Sequence, residues 1–220
     1  MTTPRVPSFH ARRGRLGVSM QNALRDLMPR YGVPIGSPVE LATLFDPPLP
    51  TVLEIGCGMG GATLDMARAE PDRGILAVDV HTRGIAALLL AIDDEALPNL
   101  RVAHGDAVTL VEAMPPDSLA GIRVWFPDPW PKVRHHKRRL LQGPAVELLA
   151  SRLAVGATLH VATDWAEYAD EILAALDAEP RLANPSGGFA PRPGWRPVTR
   201  YEQAGRDAGR VVADVIAVRV

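Results

Sequence analysis

The central part of the chain alternates short apolar runs with longer mixed segments. Five runs are apolar and rich in β-branched residues, as strands buried on both faces are. They are residues 51–56, 74–80, 100–106, 122–126 and 157–163. Segments of helical length lie between them, at residues 60–70, 83–95, 107–114 and 138–154. This alternation predicts an α/β fold with a mostly parallel central sheet and helices on both of its faces.

Both ends of the chain depart from this alternation. Residues 1–20 are polar and basic with little apolar periodicity, which predicts a basic arm, and a short helix is predicted near residues 20–30. Residues 180–197 are rich in Pro and Gly and predict a loop-rich connection. The apolar stretch "GRVVADVIAVRV" at residues 209–220 predicts a long final strand.

Composition is typical of a single globular unit. With 220 residues, 47% of them hydrophobic, the chain can form one core of ordinary domain size. We therefore expect an arm with its helix at residues 1–30 and one domain at residues 31–220. The net charge is −1, so any site for a polyanion has to be local. Two basic clusters qualify: Arg5, His10, Arg12, Arg13 and Arg15, and the run from Lys132 to Arg139.

Cysteine usage and hydropathy indicate the compartment. Cys57 is the only cysteine and cannot form an intrachain disulfide, and no Cys/His pattern has zinc spacing, so no metal is expected. Residues 1–20 contain no apolar core of a signal peptide, and no uninterrupted apolar stretch of about 18 residues exists. These features predict a cytoplasmic protein without a membrane partner.

A glycine-rich turn follows the first predicted strand. In "VLEIGCGMGGATLDMA" the chain passes through Gly56 and Gly58 into a helix. The spacing alone also suits nicotinamide or flavin enzymes, which bind a pyrophosphate there. Glu54, two residues before Gly56, would repel a pyrophosphate but can accept a hydrogen bond from an ammonium group. The loop therefore favours a cationic ligand such as S-adenosylmethionine.

Two further acids end the next two strands. Asp79 ends the second strand, where a carboxylate can bind both hydroxyls of a ribose, and Asp106 ends the third, where it could accept from an adenine amino group. Each alone could equally be a helix cap or a solvated acid. The carboxyl ends of consecutive parallel strands share one crevice, which favours a common site. This layout resembles the class I S-adenosylmethionine-dependent methyltransferases.

An unusual stretch, "WFPDPWPKVRHHKRRLLQ", covers residues 125–142. Asp128 follows the fourth strand and should face the same crevice. The prolines at 127 and 129 fix φ on both sides and bias Asp128 toward an extended conformation. Five Lys or Arg and two His lie between residues 132 and 139. By itself such a run is as often solvated surface as a binding site.

Three strings together carry a closer resemblance: "FPDPWPKVRHHKRR", "VATDWAEYADEIL" and "RPVTRYEQAG". They are similar to the bacterial tRNA (guanine-N7)-methyltransferases, and the similarity extends from "HARRGRL" to about residue 210. The resemblance implies a Rossmann-like class I methyltransferase fold with an antiparallel C-terminal strand. It also implies methyl transfer from S-adenosylmethionine to N7 of a guanine in the tRNA variable loop, with tRNA as the partner of a monomer or homodimer.

Residue roles follow from the same resemblance, position by position. The cofactor contacts it implies are Glu54, Gly56, Gly58, Asp79, Asp106 and Asp128. Asp128 is also the implied catalytic residue. The implied substrate contacts are Lys132, Asp164, Thr199, Arg200, Tyr201 and Glu202. The implied RNA-contacting residues are Arg134, His135, His136, Lys137, Arg138 and Arg139. Trp130, Trp165 and Tyr201 are candidate stacking faces for a base, with core packing as the alternative.

The chain departs from the family pattern at three places, and other functions stay open. Asp79 stands where many relatives have Glu, Arg200 replaces a usual Lys, and "RDAGRVVADV" lacks an aromatic residue usually found there. A methyltransferase for protein or a small amine would keep the donor site but would not require the basic run. A non-catalytic RNA-binding relative would have lost glycines or acids, and here all are present.

Overall fold

One sheet organises the chain in a computed structural model that describes residues 7–9 and 15–220. Its strands are β1 (Thr51–Ile55), β2 (Gly74–Asp79), β3 (Leu100–His104), β4 (Leu119–Trp125), β5 (Leu153–Thr163), β6 (Leu182–Ala183) and β7 (Ala213–Arg219). The spatial order is β3-β2-β1-β4-β5-β7-β6. Strands β1 to β5 pair in parallel, and β7 runs antiparallel to both β5 and β6. The predicted, mostly parallel sheet with an antiparallel C-terminal strand is confirmed.

Helices cover both faces of this sheet. They are α1 (Val18–Asp26), α2 (Met28–Tyr31), α3 (Gly61–Ala69), α4 (Thr82–Asp94), α5 (Ala107–Glu112), α6 (Gly143–Arg152), α7 (Ala166–Asp177) and α8 (Arg200–Asp207). Short 3-10 helices span Leu41–Thr43 and Val133–Arg138. Helices α5, α6 and α7 contribute to one cluster of buried apolar side chains, and α1, α3 and α4 contribute to a second.

Alternating strand residues explain the two clusters. In β1, Leu53 packs into the cluster under α5 to α7, and its neighbour Val52 packs into the other. Successive side chains point to opposite faces, so a strand covered on both sides has to be apolar throughout. Helix α4 meets its face through a stripe at helical spacing that includes Ile85, Leu88 and Ile92, all fully buried.

Several element boundaries differ from the predictions. The helix predicted at 138–154 is wrong at its start, because α6 begins at Gly143. Arg139 and Gln142 have non-helical backbone angles, and a proline in the first turn then opens α6. Helices α7 and α8 and the short strand β6 were not among the predicted elements. The helix predicted near 20–30 is confirmed as α1 followed directly by α2.

Helices α1 and α2 pack against α4, one of the helices that cover the sheet. Ala23 of α1 is buried in the same apolar cluster as α4, and the hydroxyl of Tyr31 donates to Asp93 of α4 at 3.0 Å. Of the predicted basic arm, Arg5, His10, Arg12 and Arg13 lie outside the described residues. Within residues 7–9 and 15–220, none of the helices has both the length and the apolar character needed to cross a membrane.

Candidate active site

A cavity of about 560 Å³ opens where the strand order reverses. Strand β1 has β2 on one side and β4 on the other, so the loops after these strands diverge and leave a crevice at their carboxyl ends. The predicted site residues on the cavity wall are Gly56, Gly58, Asp79, Asp106, Asp128, Arg200 and Tyr201. Acids from the ends of β2, β3 and β4 therefore do share one site, as the sequence predicts.

The glycine loop is shaped by a close approach from α4. Gly58 has φ +57°, a left-handed conformation that favours glycine, and open space lies above it. A Cβ on Gly84 of α4 would lie 1.7 Å from the carbonyl oxygen of Gly58. Only glycine at position 84 lets the helix and the loop lie this close together. The sequence analysis did not single out Gly84, because the approach is visible only in the folded chain.

Asp79 holds the other side of this loop. Its Oδ2 accepts from the backbone N–H of Gly58 at 2.7 Å, and its Oδ1 accepts from the N–H of His81 at 2.8 Å. A carboxylate oxygen has two lone pairs, so each oxygen can still accept from a ligand in the cavity. The residue predicted to bind a ribose diol thus lies on the cavity wall and also orients the glycine loop.

Glu54 lies deeper than predicted. The residue is 4% exposed, is absent from the described cavity wall, and its Oε2 accepts from Thr63 Oγ1 at 2.6 Å. Burial raises the pKa of Glu54 to about 7, and the hydrogen bond from Thr63 and the charge of Arg123 oppose that rise. A buried carboxyl group in this condition is suited to a cationic ligand, so its contact with an ammonium group stays a prediction.

Glu54→Gln tests that role through stability and binding together. The ordinary pKa of this carboxyl is 4.5 and its folded-state pKa is about 7. Ionisation therefore costs the wild-type fold stability as the pH rises from 4.5 to 7, about 3 kcal/mol in full. We expect Glu54→Gln to be more stable than wild type at pH 8 and little changed at pH 4, in urea unfolding. It should also bind S-adenosylmethionine more weakly in titration calorimetry.

The control for this prediction is the exposed Glu112→Gln, which should alter neither property. Equal stability of Glu54→Gln and wild type at both pH values would contradict a raised pKa. Undiminished affinity for S-adenosylmethionine would contradict the ammonium contact.

Asp106 caps a helix and also faces the cavity. It is the N-cap of α5, where its side chain accepts from the N–H of Val108 at 3.2 Å and from Thr109 Oγ1 at 3.4 Å. It also lies on the cavity wall. The helix-cap and ligand-site interpretations of this acid are thus compatible, and the cap fixes where the carboxylate stands.

The loop that carries Asp128 is strained at both ends. Phe126 has φ +55° and Trp130 has φ +45°, a left-handed conformation that is costly for large side chains. The N–H of Phe126 still donates to the carbonyl of Ala162 at 2.7 Å, which anchors the loop to β5. Asp128 is exposed between the two strained positions and faces the cavity. Strain of this kind concentrates at functional sites.

Helix α8 supplies the opposite wall. Tyr201 is 49% exposed, and its ring stacks on that of Phe126 with centroids 6.4 Å apart. Arg200 lies beside it, with its guanidinium 4.7 Å from the Tyr201 ring. Thr199 caps the helix by accepting from the N–H of Glu202 at 3.0 Å. Of the predicted substrate residues, Arg200 and Tyr201 reach the cavity, while Thr199 shapes the helix that carries them.

The other predicted substrate residues occupy different surroundings. Glu202 is fully buried among arginines, with Arg196 Nη1 at 2.7 Å from its Oε2. Asp164 accepts from Arg210 Nε at 2.8 Å, and Lys132 is exposed at the start of the basic run. The structure does not place these three residues on the described cavity wall. Their substrate contacts stay predictions.

The basic run divides into outward and inward residues. Lys132, Arg134 and Lys137 are exposed, as an RNA-contacting surface requires. Arg138 is half-buried; its Nε donates to the carbonyl of Pro7 and its Nη2 to that of Phe9, both at 3.2 Å.

Arg139 requires a correction. Its side chain is 0% exposed and its Nη1 lies 2.6 Å from Glu171 Oε1 of α7. Its Nε donates to the carbonyl of Pro129 at 2.8 Å, and its guanidinium lies 4.9 Å from the Tyr168 ring. The prediction of an RNA contact for Arg139 is not supported, because this side chain anchors the Asp128 loop to α7.

The two histidines of the run also face the protein. His136 is 20% exposed and lies 3.7 Å from Glu167 and from Glu171. A ring nitrogen of His136 and one carboxylate oxygen from each glutamate lie within 4.8 Å of one another. The guanidinium of Arg139 lies beside both carboxylates and supplies a positive charge there. His135 packs edge-on against the ring of Trp130, with centroids 5.9 Å apart.

The three residues predicted as stacking faces for a base differ in their burial and contacts. Trp165 is partly buried and packs against the core cluster, as the alternative interpretation holds. The indole N–H of Trp130 donates to the carbonyl of Ser8 at 3.1 Å, and its ring lies 4.2 Å from the Arg138 guanidinium. Trp130 and Tyr201 both lie on the cavity wall, and Tyr201, which is 49% exposed, is the more accessible of the two to a base.

Comparisons with solved structures agree with this fold. The 16S rRNA methyltransferase KamB superposes with a TM-score of 0.56 at 19% identity, covering 77% of this chain and 88% of that chain. Geranyl diphosphate C-methyltransferase from Streptomyces coelicolor, bound to S-adenosyl-L-homocysteine, has a TM-score of 0.55 at 12% identity and covers 94% and 100%. Fold and cavity together have the architecture of the class I methyltransferases.

Sequence comparisons give the family. A family model described as putative methyltransferase matches residues 48–215. A tRNA (guanine-N(7)-)-methyltransferase from Streptomyces avermitilis is 53% identical, covering 98% of this chain and 76% of its own. One from Nitrosospira multiformis is 48% identical, covering 96% and 93%. The chain belongs to the tRNA (guanine-N(7)-)-methyltransferase family.

Proposed function

We propose that this protein transfers the methyl group of S-adenosylmethionine to N7 of a guanine in the variable loop of tRNA. The observation that carries the proposal is the position of Asp128. It lies on the wall of the donor cavity, and exposed cations begin four positions further on, at Lys132. A donor site and a phosphate-binding surface are thus joined by one short loop. The relatives named above act, by name, on the same atom of guanine in tRNA.

Methyl transfer to N7 requires alignment of the donor and the acceptor more than it requires acid-base catalysis. When bound, S-adenosylmethionine supplies an activated methyl group on its sulfonium. Guanine N7 carries an available lone pair, so no residue has to remove a proton before transfer. The carboxylates of Asp79 and Asp106 on the cavity wall suit the diol and amino group of the donor. The task of the protein is to hold donor and acceptor in line.

Asp128 is the group we assign to the guanine. Its carboxylate can accept hydrogen bonds from the N1–H and the exocyclic amino group, on the edge of the base away from N7. Methylation makes the ring cationic, and a fixed carboxylate stabilises the positive charge as it develops. The strained positions at Phe126 and Trp130 hold this carboxylate in place before the base arrives.

The base has to leave its stack, or already be unstacked, to reach the cavity. The exposed ring of Tyr201, supported from behind by Phe126, is the stacking face we assign to it. Base-aromatic stacking of this kind contributes about 1–3 kcal/mol for each base.

Phosphate contacts by the exposed cations lead to a salt-dependent prediction. We expect Arg134→Ala/Lys137→Ala to weaken tRNA binding and to reduce the slope of log affinity against log salt by about 1.5–2. Filter binding between about 50 and about 200 mM KCl, over which the Debye length falls about twofold, measures both quantities. Arg25→Ala/Arg73→Ala, which removes two exposed cations outside the basic run, is the matched control. An unchanged salt slope in the double variant would remove these residues from the interface.

The direct test of the activity is transfer of labelled methyl from S-adenosylmethionine to unmodified tRNA transcripts. Chemical cleavage at 7-methylguanosine maps the product. The proposal expects one modified guanine, in the variable loop. Transfer to protein or to small amines in place of tRNA would overturn it.

A further inference from the structure

A chain of buried polar side chains joins the strand before the Asp128 loop to the core of the sheet. Trp125 Nε1 donates to His160 Nδ1 at 3.3 Å, and His160 Nε2 lies 2.7 Å from Asp214 Oδ1. An indole N–H can only donate, so Nδ1 is the acceptor and the ring proton is on Nε2, donated to Asp214. Burial lowers the pKa of His160, which keeps the imidazole neutral. The negative charge of Asp214 therefore has to be balanced elsewhere.

Arg196 balances that charge and continues the chain to α8. It is 1% exposed; its Nε lies 2.9 Å from Asp214 Oδ1 and its Nη2 donates to Asp214 Oδ2 at 3.2 Å. On its other side, Nη1 donates to Glu202 Oε2 at 2.7 Å. One planar guanidinium thus lies between two buried carboxylates, Asp214 of β7 and Glu202 of α8, and links the strand to the helix.

Glu202 also forms ion pairs with two less buried arginines, Arg192 and Arg206, which do not replace this link. Arg192 Nε lies 2.8 Å from Glu202 Oε1, and Arg206 also pairs with that oxygen. Both partners lie near α8 itself, whereas Arg196 also reaches the sheet through Asp214. At its other end α8 packs against Asp164, where a Cβ on Gly205 would lie 2.8 Å from Oδ2. The Arg196 fork therefore fixes the end of α8 that carries Arg200 and Tyr201.

Helix α8 brings Arg200 and Tyr201 to the cavity, as described above. The Arg196 guanidinium also lies 5.9 Å from the ring of Phe126, on which Tyr201 stacks. We propose that Arg196 is a positioning residue: its fork between Asp214 and Glu202 sets α8 so that Tyr201 and Arg200 form the guanine-facing wall. This inference rests on the proposed function, whose acceptor it concerns.

Arg196→Lys is the variant that tests it. Lysine keeps the positive charge between the two buried carboxylates but replaces the fork with a point charge. We expect kcat/KM for tRNA to fall by about 10- to 100-fold, because a small misplacement of a contact group can cost that much. The Kd for S-adenosylmethionine should stay within about twofold of wild type, because the donor-side groups are not on α8.

Arg152→Lys is the matched control. Arg152 is a half-buried arginine at the end of α6; its Nε donates to the carbonyl of Val111 at 3.1 Å and its Nη1 to Ser151 Oγ at 2.9 Å, so these partners are not on α8. It should lower the melting temperature, because lysine cannot replace both donors, and leave kcat/KM for tRNA unchanged. An equal loss of tRNA activity in the two variants would overturn the inference.

Two readouts separate positioning from general damage. In a Tyr201→Ala background the effect of Arg196→Lys on tRNA should shrink, since both changes act on the same wall; full additivity contradicts the proposal. Amide hydrogen exchange across α8 should increase in Arg196→Lys and not in Arg152→Lys. The exchange result stands without any turnover. If wild type methylates no tRNA, the proposed function fails, and unchanged exchange in α8 would separately refute positioning by Arg196.

Discussion

Asp128→Asn is expected to lower kcat for tRNA methylation by about 10²- to 10³-fold, the usual loss when one fixed electrostatic partner of a transition state is removed. The amide keeps the size of the side chain, so the strained loop between Phe126 and Trp130 should form as before. It removes the negative charge that we propose stabilises the methylated ring, and one oxygen that can accept from the guanine edge. Steady-state rates with saturating S-adenosylmethionine and tRNA measure the change.

The control for this variant is Asp65→Asn, which removes an equal charge from an exposed position on α3. It should retain wild-type kcat. The donor affinity of Asp128→Asn should fall only a few-fold, because Asp79 and Asp106 remain on the cavity wall. Near-normal turnover in Asp128→Asn would show that this carboxylate is not the guanine partner.

Gly84→Ala is expected to reduce S-adenosylmethionine affinity by about 100-fold, a loss comparable with a displacement of about 1 Å at a binding group. The new Cβ would lie 1.7 Å from the Gly58 oxygen and 2.8 Å from its carbonyl carbon. Both are backbone atoms, so the glycine loop or α4 has to move, and the bond from Gly58 to Asp79 is lost with the movement. Overpacking of this kind should also cost about 1–3 kcal/mol of stability. Calorimetric titration and urea unfolding measure the two effects.

Gly61→Ala is the matched control, since it makes the same substitution at the start of α3 in the same loop. A Cβ there would meet no atom within 4 Å. This variant should bind the donor normally and be slightly stabilised, because alanine is a better helix former than glycine. Normal donor affinity in Gly84→Ala would mean that the approach of α4 does not shape the loop.

The sheet was predictable because its strands are buried on both faces. Residues such as Val52 and Leu53 point to opposite apolar clusters, which produces the continuous apolar runs of the sequence. Helix α8 was not predictable by the same rule. Its sequence "RYEQAGRD" has no apolar stripe, and its buried side is Glu202 paired with arginines. A hydrophobic pattern carries no signal for a helix held by ion pairs.

Within the site, topology made some residues predictable and packing hid others. Asp79, Asp106 and Asp128 follow strands that end at one edge, so their common location follows from strand order. In the basic run, nothing in the sequence distinguishes Arg139, which turns inward, from Arg134, which is exposed. The acids of α7 that draw Arg139 inward are distant in sequence and adjacent only in the fold.

The central claim is that N7 of a variable-loop guanine accepts the methyl group. It is tested most directly with two tRNAs that differ in one atom, one carrying guanine and the other 7-deazaguanine at the modified position. In the second tRNA a C–H replaces N7, while the edge assigned to Asp128 is intact. We expect labelled methyl to enter the first tRNA only, and the second to bind and compete with nearly equal affinity. Equal methylation of both tRNAs would place the acceptor at another atom and contradict the proposed reaction.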